Sequence, residues 1–126
     1  MNRAALTAVA VGGSLGAAGR LALLEALPVD DGGWPWATLI ANVLGSALLG
    51  YLTVRLTQRP GDRLYPALGP GLCGALTTFS AVQIEILLML DAGRESLAGL
   101  YLGASVAACL VAATTGARFA RQGAPA

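Results

Sequence analysis

A chain of 126 residues has the length of one domain, yet 56% of it is hydrophobic and only 12% is charged, a balance that water-soluble domains do not have. A bilayer core about 30 Å thick takes about 20 apolar residues per helix, so this length supplies four spans and short loops but no soluble domain. A net charge of +1 gives no footing for nucleic acid as a partner, and the absence of His removes the commonest metal ligand and proton shuttle, leaving hydrolytic and metal chemistry poorly equipped.

The first predicted span runs over about residues 4–27 and stops at Pro28 and the turn-rich Asp30-Asp31-Gly32-Gly33. The stretch from Met1 to Leu27 has the look of a signal peptide, but it holds Arg20 and leads into further spans, so it reads as a retained transmembrane helix. Trp34 and Trp36 follow, and because indole rings favour the headgroup layer they mark the interface where the second span, about 36–56, begins. Arg59-Pro60-Gly61-Asp62-Arg63 ends that span. The third, about 65–90, contains Pro66, Gly69, Pro70, Gly71 and Gly74, too many helix breakers for an undisturbed helix, and predicts a break near mid-membrane. A polar link from Asp91 to Ser96 leads to the fourth span, about 97–119, and a small polar tail. The expected fold is one all-α, four-helix transmembrane domain covering residues 1–126.

All eight basic residues are Arg. With four spans, Arg3, Arg55, Arg59, Arg63, Arg118 and Arg121 fall on one side, and only Arg20 and Arg94 lie towards the other. Because cytoplasmic loops carry the Lys/Arg excess, both termini are predicted to be cytoplasmic.

Small residues recur at four-residue spacing: Gly12 with Gly16, Ala37 with Ala41 and Gly45, Ser46 with Gly50, Gly99 with Gly103. Such spacing lets helix backbones approach closely in lipid and indicates a tight bundle. On the second span Thr38, Asn42 and Ser46 share one helix face, continued by Thr53; on the fourth, Tyr101 and Ser105 repeat the spacing, with Cys109 and Ala113 next in line. Interhelical hydrogen bonding accounts for any one of these residues, but two aligned stripes favour a hydrated path of hydroxyls and amides, without Lys, suited to a small anion exchanging its water shell for protein donors. Cys73 and Cys109 lack the spacing of a disulfide framework or zinc site and read as reduced packing residues.

The segment Gly71-Leu72-Cys73-Gly74-Ala75-Leu76-Thr77-Thr78-Phe79-Ser80 is the strongest local signal, because within a span it abandons helix geometry and frees backbone groups that lipid cannot satisfy. Ser80 with Gln83 has the spacing of a capping box, which places the start of a second half-helix there with its N-terminal dipole end towards the membrane centre. A simple Pro/Gly kink satisfied by neighbouring Ser or Thr is the alternative.

Three segments together resemble the Fluc (CrcB) family of fluoride channels: Gly12-Gly13-Ser14-Leu15-Gly16-Ala17-Ala18-Gly19-Arg20, Thr38-Leu39-Ile40-Ala41-Asn42-Val43-Leu44-Gly45, and Gly71 to Ser80. Their order and placement on the spans extend the resemblance over essentially the whole chain. It implies an antiparallel dimer with two fluoride pores in a prokaryotic cell membrane, passive export of fluoride, and no enzymatic step. By the same resemblance Asn42 matches the pore asparagine and Phe79 the first of two phenylalanines whose positive ring edges face fluoride. Thr38, Thr78, Ser80, Glu85, Tyr101 and Ser105 match further pore-side polar positions, and Arg20 matches a vestibule arginine that raises local anion concentration, or else is a snorkelling anchor. Gly74 and Thr77 match positions whose backbone carbonyls, from both subunits, hold a structural sodium ion.

Two departures stand out. Val82 occupies the place of the second pore phenylalanine, preceded by Ala81 in place of a threonine, and Cys109 stands where a serine would continue the fourth-span track. The resemblance allows either a dual-topology homodimer or a pair of oppositely inserted homologues, and the Arg asymmetry favours the pair, whose other member would restore the missing aromatic. The competing reading is a four-helix proton-coupled multidrug exporter, which needs a membrane-embedded carboxylate; Glu25 sits too near a helix end and Glu85 is the one deep candidate. A scaffold subunit without transport ranks below both.

Overall fold

The structure, a computed structural model, describes residues 3–30, 32–56 and 64–122. The Arg59–Arg63 loop, Asp31 and the last residues of the tail lie outside the described residues. Four helical stretches are long and apolar enough to cross a membrane, Arg3–Ala26, Trp36–Leu56, Leu64–Asp91 and Glu95–Gln122, and the chain is a multi-pass, all-helical membrane protein.

Helix α1 is Arg3–Ala26 and α2 is Trp36–Leu56. α2 begins as the sequence predicts, because Pro35 stands just before it and its carbonyl accepts the first turn's bond from the Leu39 N–H at 3.2 Å. The third span divides into α3, residues 64–76, and α4, Phe79–Asp91. The last helix, α5, is Glu95–Gln122 and extends past the predicted 97–119 at both ends. Glu95 in its first turn and Arg121 in its last carry the charge signs that complement the helix dipole, so residues read as a polar link and tail instead cap the helix.

The Pro/Gly-rich part of the third span does not break. Ala67–Cys73 forms a π-helical segment with Pro70 inside it, and its wider turn accommodates a residue that has no N–H and whose ring would collide with the carbonyl four residues back in an α-helix. The interruption comes later, at Thr77 (φ −82°, ψ 151°) and Thr78 (φ −151°, ψ 127°), two extended residues that bend the span.

Glycines set how closely the helices pack. A Cβ added at Gly12 would lie 1.8 Å from the Ala67 carbonyl oxygen, and one at Gly16 would lie 2.2 Å from that of Leu72, so α1 rests directly on the backbone of the π segment. Gly50 and Gly116 do the same for α2 and α5, at 2.1 Å from the Ala113 oxygen and 2.0 Å from the Ala47 oxygen. Gly99 and Gly103 depart from the expectation of bundle packing: both are exposed, and an added Cβ at either meets nothing within 4 Å. Between α4 and α5 a small core forms from Val82, Met89, Ala98 and Tyr101, with Trp34, Leu39, Ile86 and Leu97 against it. Trp34 therefore is not a simple interface marker; its ring meets Tyr101 edge-on at 5.3 Å, while Trp36 stays exposed.

Candidate functional site

The two extended residues of the third span are held by a side chain from α2. Asn42 Oδ1 accepts the Thr78 N–H at 2.7 Å, and Asn42 Nδ2 donates to the Thr78 carbonyl at 3.0 Å. One buried amide thus satisfies both backbone groups of a residue that has left helix geometry within a membrane span, where each unpaired group would cost several kcal/mol.

Thr78 is also the N-cap of α4. Its Oγ1 accepts the Ala81 N–H at 3.2 Å and lies 3.2 Å from Ser80 Oγ. The predicted cap at Ser80 is thus displaced by two residues, because the threonine that turns out of the helix is the one whose hydroxyl reaches the orphan amides. These diversions free carbonyls. In a continuous helix the Thr78 N–H would serve the Gly74 carbonyl and the Ala81 N–H that of Thr77; here they go to Asn42 and to the Thr78 hydroxyl instead. Gly74 is exposed and Thr77 half-buried, with the Thr77 hydroxyl turned back to the Cys73 carbonyl at 2.9 Å.

Beside this break an open cleft of about 270 Å³ is lined by Asn42, Gly45, Ser46, Leu49, Thr77, Thr78, Phe79 and Cys109. Phe79, the first residue of α4, is 71% exposed, so its ring is free at the cleft. Cys109, read from sequence as packing, is part of the wall; its place four residues after Ser105 was the available signal.

A second polar cluster lies further along α4. Glu85 accepts a short hydrogen bond from the Thr38 hydroxyl on one carboxylate oxygen and one from the Tyr101 hydroxyl, at 2.6 Å, on the other. Three helices meet at this carboxylate, which explains why Tyr101 and Thr38 are buried although polar. Ser105 Oγ, one turn from Tyr101, is buried without a hydrogen-bond partner among the described residues. A pocket of about 40 Å³, lined by residues of the 29–35 loop, reaches Glu85 and Leu88 from the loop side.

The structure therefore divides the predicted residues. Asn42, Thr77, Thr78, Ser80 and Phe79 gather at the break; Thr38 and Tyr101 meet Glu85 at the middle of α4, with Ser105 one turn beyond Tyr101. Arg20 is half-buried and lines neither cavity. Val82 points away from the cleft into the core, 4% exposed against Tyr101. Among the described residues no group of three His, Cys, Asp or Glu side chains comes together as a metal site.

The family model for CrcB-like protein, Camphor Resistance (CrcB), matches residues 7–117. The chain is 42% identical to a protein of Mycolicibacterium paratuberculosis named fluoride-specific ion channel FluC 1, over 93% of this chain and 90% of that one. It is 45% identical to a FluC 1 of Mycobacterium tuberculosis, over 85% and 83% of the two chains. With a fluoride-specific ion channel FluC of Cereibacter sphaeroides the identity is 38%, over 88% of this chain and 90% of the relative. A match that takes in α1, the Asn42–Thr78 clasp, the whole third span and nearly all of α5 places this chain in the CrcB family.

Proposed function

We propose that this chain is a subunit of a fluoride-selective channel in a prokaryotic cell membrane, which lets fluoride leave the cytoplasm passively and performs no chemical step. The relatives reported above carry that activity in their names. In this molecule the reading is carried by the cleft at the break, where uncharged donors and a free aromatic edge gather on a path without Lys. Asn42 uses one of its two Nδ2 protons on the Thr78 carbonyl and has a second to offer an anion. The Thr78 and Ser80 hydroxyls stand next to it, and the positive edge of Phe79 completes a surface that can replace water around a small, strongly hydrated anion. A membrane potential that is negative inside drives such an anion outward. Glu85, with both oxygens engaged by Thr38 and Tyr101, fits a structural and path-lining role better than the freely exchanging carboxylate of a proton-coupled exporter.

The working unit in this reading is an antiparallel dimer, with itself or with an oppositely inserted homologue, surrounded by lipid. The Arg asymmetry supports one-way insertion with both termini cytoplasmic, and hence the paired arrangement. A sodium ion at the dimer centre would be held by the carbonyls of Gly74 and Thr77. What supports this is that their helical donors are turned elsewhere and that hard oxygen donors suit a hard cation. The ion would supply fixed positive charge that holds the two breaks together.

The test is fluoride efflux from liposomes containing the purified protein, with valinomycin clamping the voltage, a fluoride electrode, and chloride for comparison. Fluoride leaves selectively in this reading. Phe79→Ile, which removes an aromatic edge worth about 0.5–1.5 kcal/mol, slows it roughly two- to tenfold. Chloride leaving as fast as fluoride would sink the reading.

A further inference from the structure

The cleft at the break does not stop at Ser46. A second groove, of about 370 Å³, takes up the same Ser46 and Leu49 and runs between α2 and α5 past Thr53, Ala113 and Ala117 to Arg121. Ser46 and Leu49 line both, so the two lie end to end along α2, from Asn42 and Phe79 to the end of the bundle where α2 and α5 terminate. Its floor is backbone. Gly50 and Gly116 bring the two helices so close that a Cβ on either would strike the opposing carbonyl, so no side chain fills the groove from below.

The wall is apolar except for Ser46, Thr53 and Arg121, and the Thr53 hydroxyl is turned onto its own helix, to the Leu49 carbonyl at 2.8 Å. Arg121 is thus the one formal charge on the described wall. It is exposed, it lies in the last turn of α5, and no carboxylate neutralises it among the described residues. Low-dielectric walls focus the field of such a charge along the groove instead of letting it spread into water. Arg20, the arginine that the sequence suggests for recruiting anions, lines neither part of the path.

Resting on the channel reading, we infer that Arg121 sets the rate at which fluoride enters this groove from the side of the chain termini. It touches no ion in the narrow part of the path; it raises anion concentration at the mouth. For a unit charge about 10 Å from an ion entering the mouth, at an effective dielectric constant between about 40 and 80, the gain is roughly two- to fourfold at low salt. That gain shrinks when the Debye length falls to about 3 Å in 1 M salt.

Two measurements test this. The first is initial fluoride efflux at roughly 10 mM and 1 M ionic strength. Arg121→Gln should slow efflux about two- to fourfold at low salt and little at high salt, Arg121→Lys should restore it, and Arg3→Gln, which removes a charge outside the groove, should leave it unchanged. The second needs no fluoride. Cys109 lies in the cleft wall and Cys73 is buried, so methanethiosulfonates added in the light of their charge report the potential at Cys109. Cys109 lies about 18 Å from Arg121 along α5 at 1.5 Å per residue. At low salt the ratio of modification rates for an anionic and a cationic reagent should fall about two- to fourfold in Arg121→Gln, and further in Arg121→Glu. Ratios and efflux that ignore the charge at position 121 would overturn the inference and identify Arg121 as an interfacial anchor, while leaving fluoride selectivity of the parent protein intact. Chloride leaving the parent as fast as fluoride would instead defeat the channel reading, with the thiol ratios still reporting on Arg121.

Discussion

Asn42→Ala removes both hydrogen bonds to Thr78 at once and leaves an N–H and a carbonyl without partners in a part of the span that lipid surrounds. Each buried unsatisfied group costs about 1–3 kcal/mol, so the variant should lose roughly 2–6 kcal/mol of stability. Asn42→Asp is the informative companion. It keeps an acceptor for the Thr78 N–H but sets a carboxylate oxygen against the Thr78 carbonyl and places an unpaired negative charge in the cleft, so it should be no more stable than the alanine variant and should lose more conduction. Stability is read from Trp34 and Trp36 fluorescence during denaturation from detergent, since Trp34 packs on Tyr101 and reports on the core between α4 and α5. Conduction is read by fluoride efflux on the same preparations. An Asn42→Ala protein within about 0.5 kcal/mol of the parent would refute the claim that this amide holds the break, since ordinary surface substitutions stay in that range.

The remaining predictions concern packing, the second polar cluster and the loops. Gly16→Ala should cost about 1–3 kcal/mol or prevent folding, because its Cβ would meet the Leu72 carbonyl at 2.2 Å, whereas Gly103→Ala, with nothing within 4 Å, should be neutral by the same denaturation assay. Glu85→Gln leaves the Thr38 or the Tyr101 hydroxyl without an acceptor, at about 1 kcal/mol, yet fluoride efflux should persist and ignore an imposed pH gradient; transport driven by that gradient and lost in the variant would favour an exporter. Arg94 donates from the loop before α5 to the Gly32 carbonyl at 3.0 Å, so Arg94→Gln should speed amide hydrogen exchange in the 29–35 loop while leaving α2 protected. Gly32→Ala should be the more damaging change, because φ is +68° there and the new methyl would lie 2.8 Å from Ala92 Cβ.

Much of the fold was legible because the bilayer demands it. Apolar runs of spanning length fixed the number of helices, and the pair Trp34 and Trp36 marked where α2 starts, at Trp36. The polar stripe of Thr38 and Asn42 was readable as a helix face, and both side chains do reach the third span. What the stripe did not reveal was the assignment of partners, since spacing along one helix says nothing about which residue of another helix stands opposite. The break falls within the 71–80 run that the sequence marks, at Thr77 and Thr78, whereas the Pro and Gly residues before it do not open the span. Pro66, Pro70 and the glycines are poor α-helix residues taken singly, but their interplay with Gly12 and Gly16 of α1 stabilises a π segment that no local propensity describes. The chain opens at Thr77 and Thr78 because Asn42 Oδ1 and the Thr78 hydroxyl accept the N–H bonds a helix would otherwise send to Gly74 and Thr77, and the first of these is a tertiary effect. Gly99 and Gly103 show the converse limit, in that a small-residue spacing identical to a buried one lies on an open face. The burial of Val82 against Tyr101 likewise depended on the rotation of α4 set by its Thr78 cap.

The most direct measurement is the reversal potential in planar bilayers with both anions on both sides in opposed gradients, fluoride higher on one side and chloride higher on the other, using the protein alone and together with an oppositely inserted homologue. For a fluoride channel the current reverses near the fluoride equilibrium potential in at least one of the two preparations. A current that reverses near the chloride potential, or no fluoride current in either preparation, would contradict the channel reading.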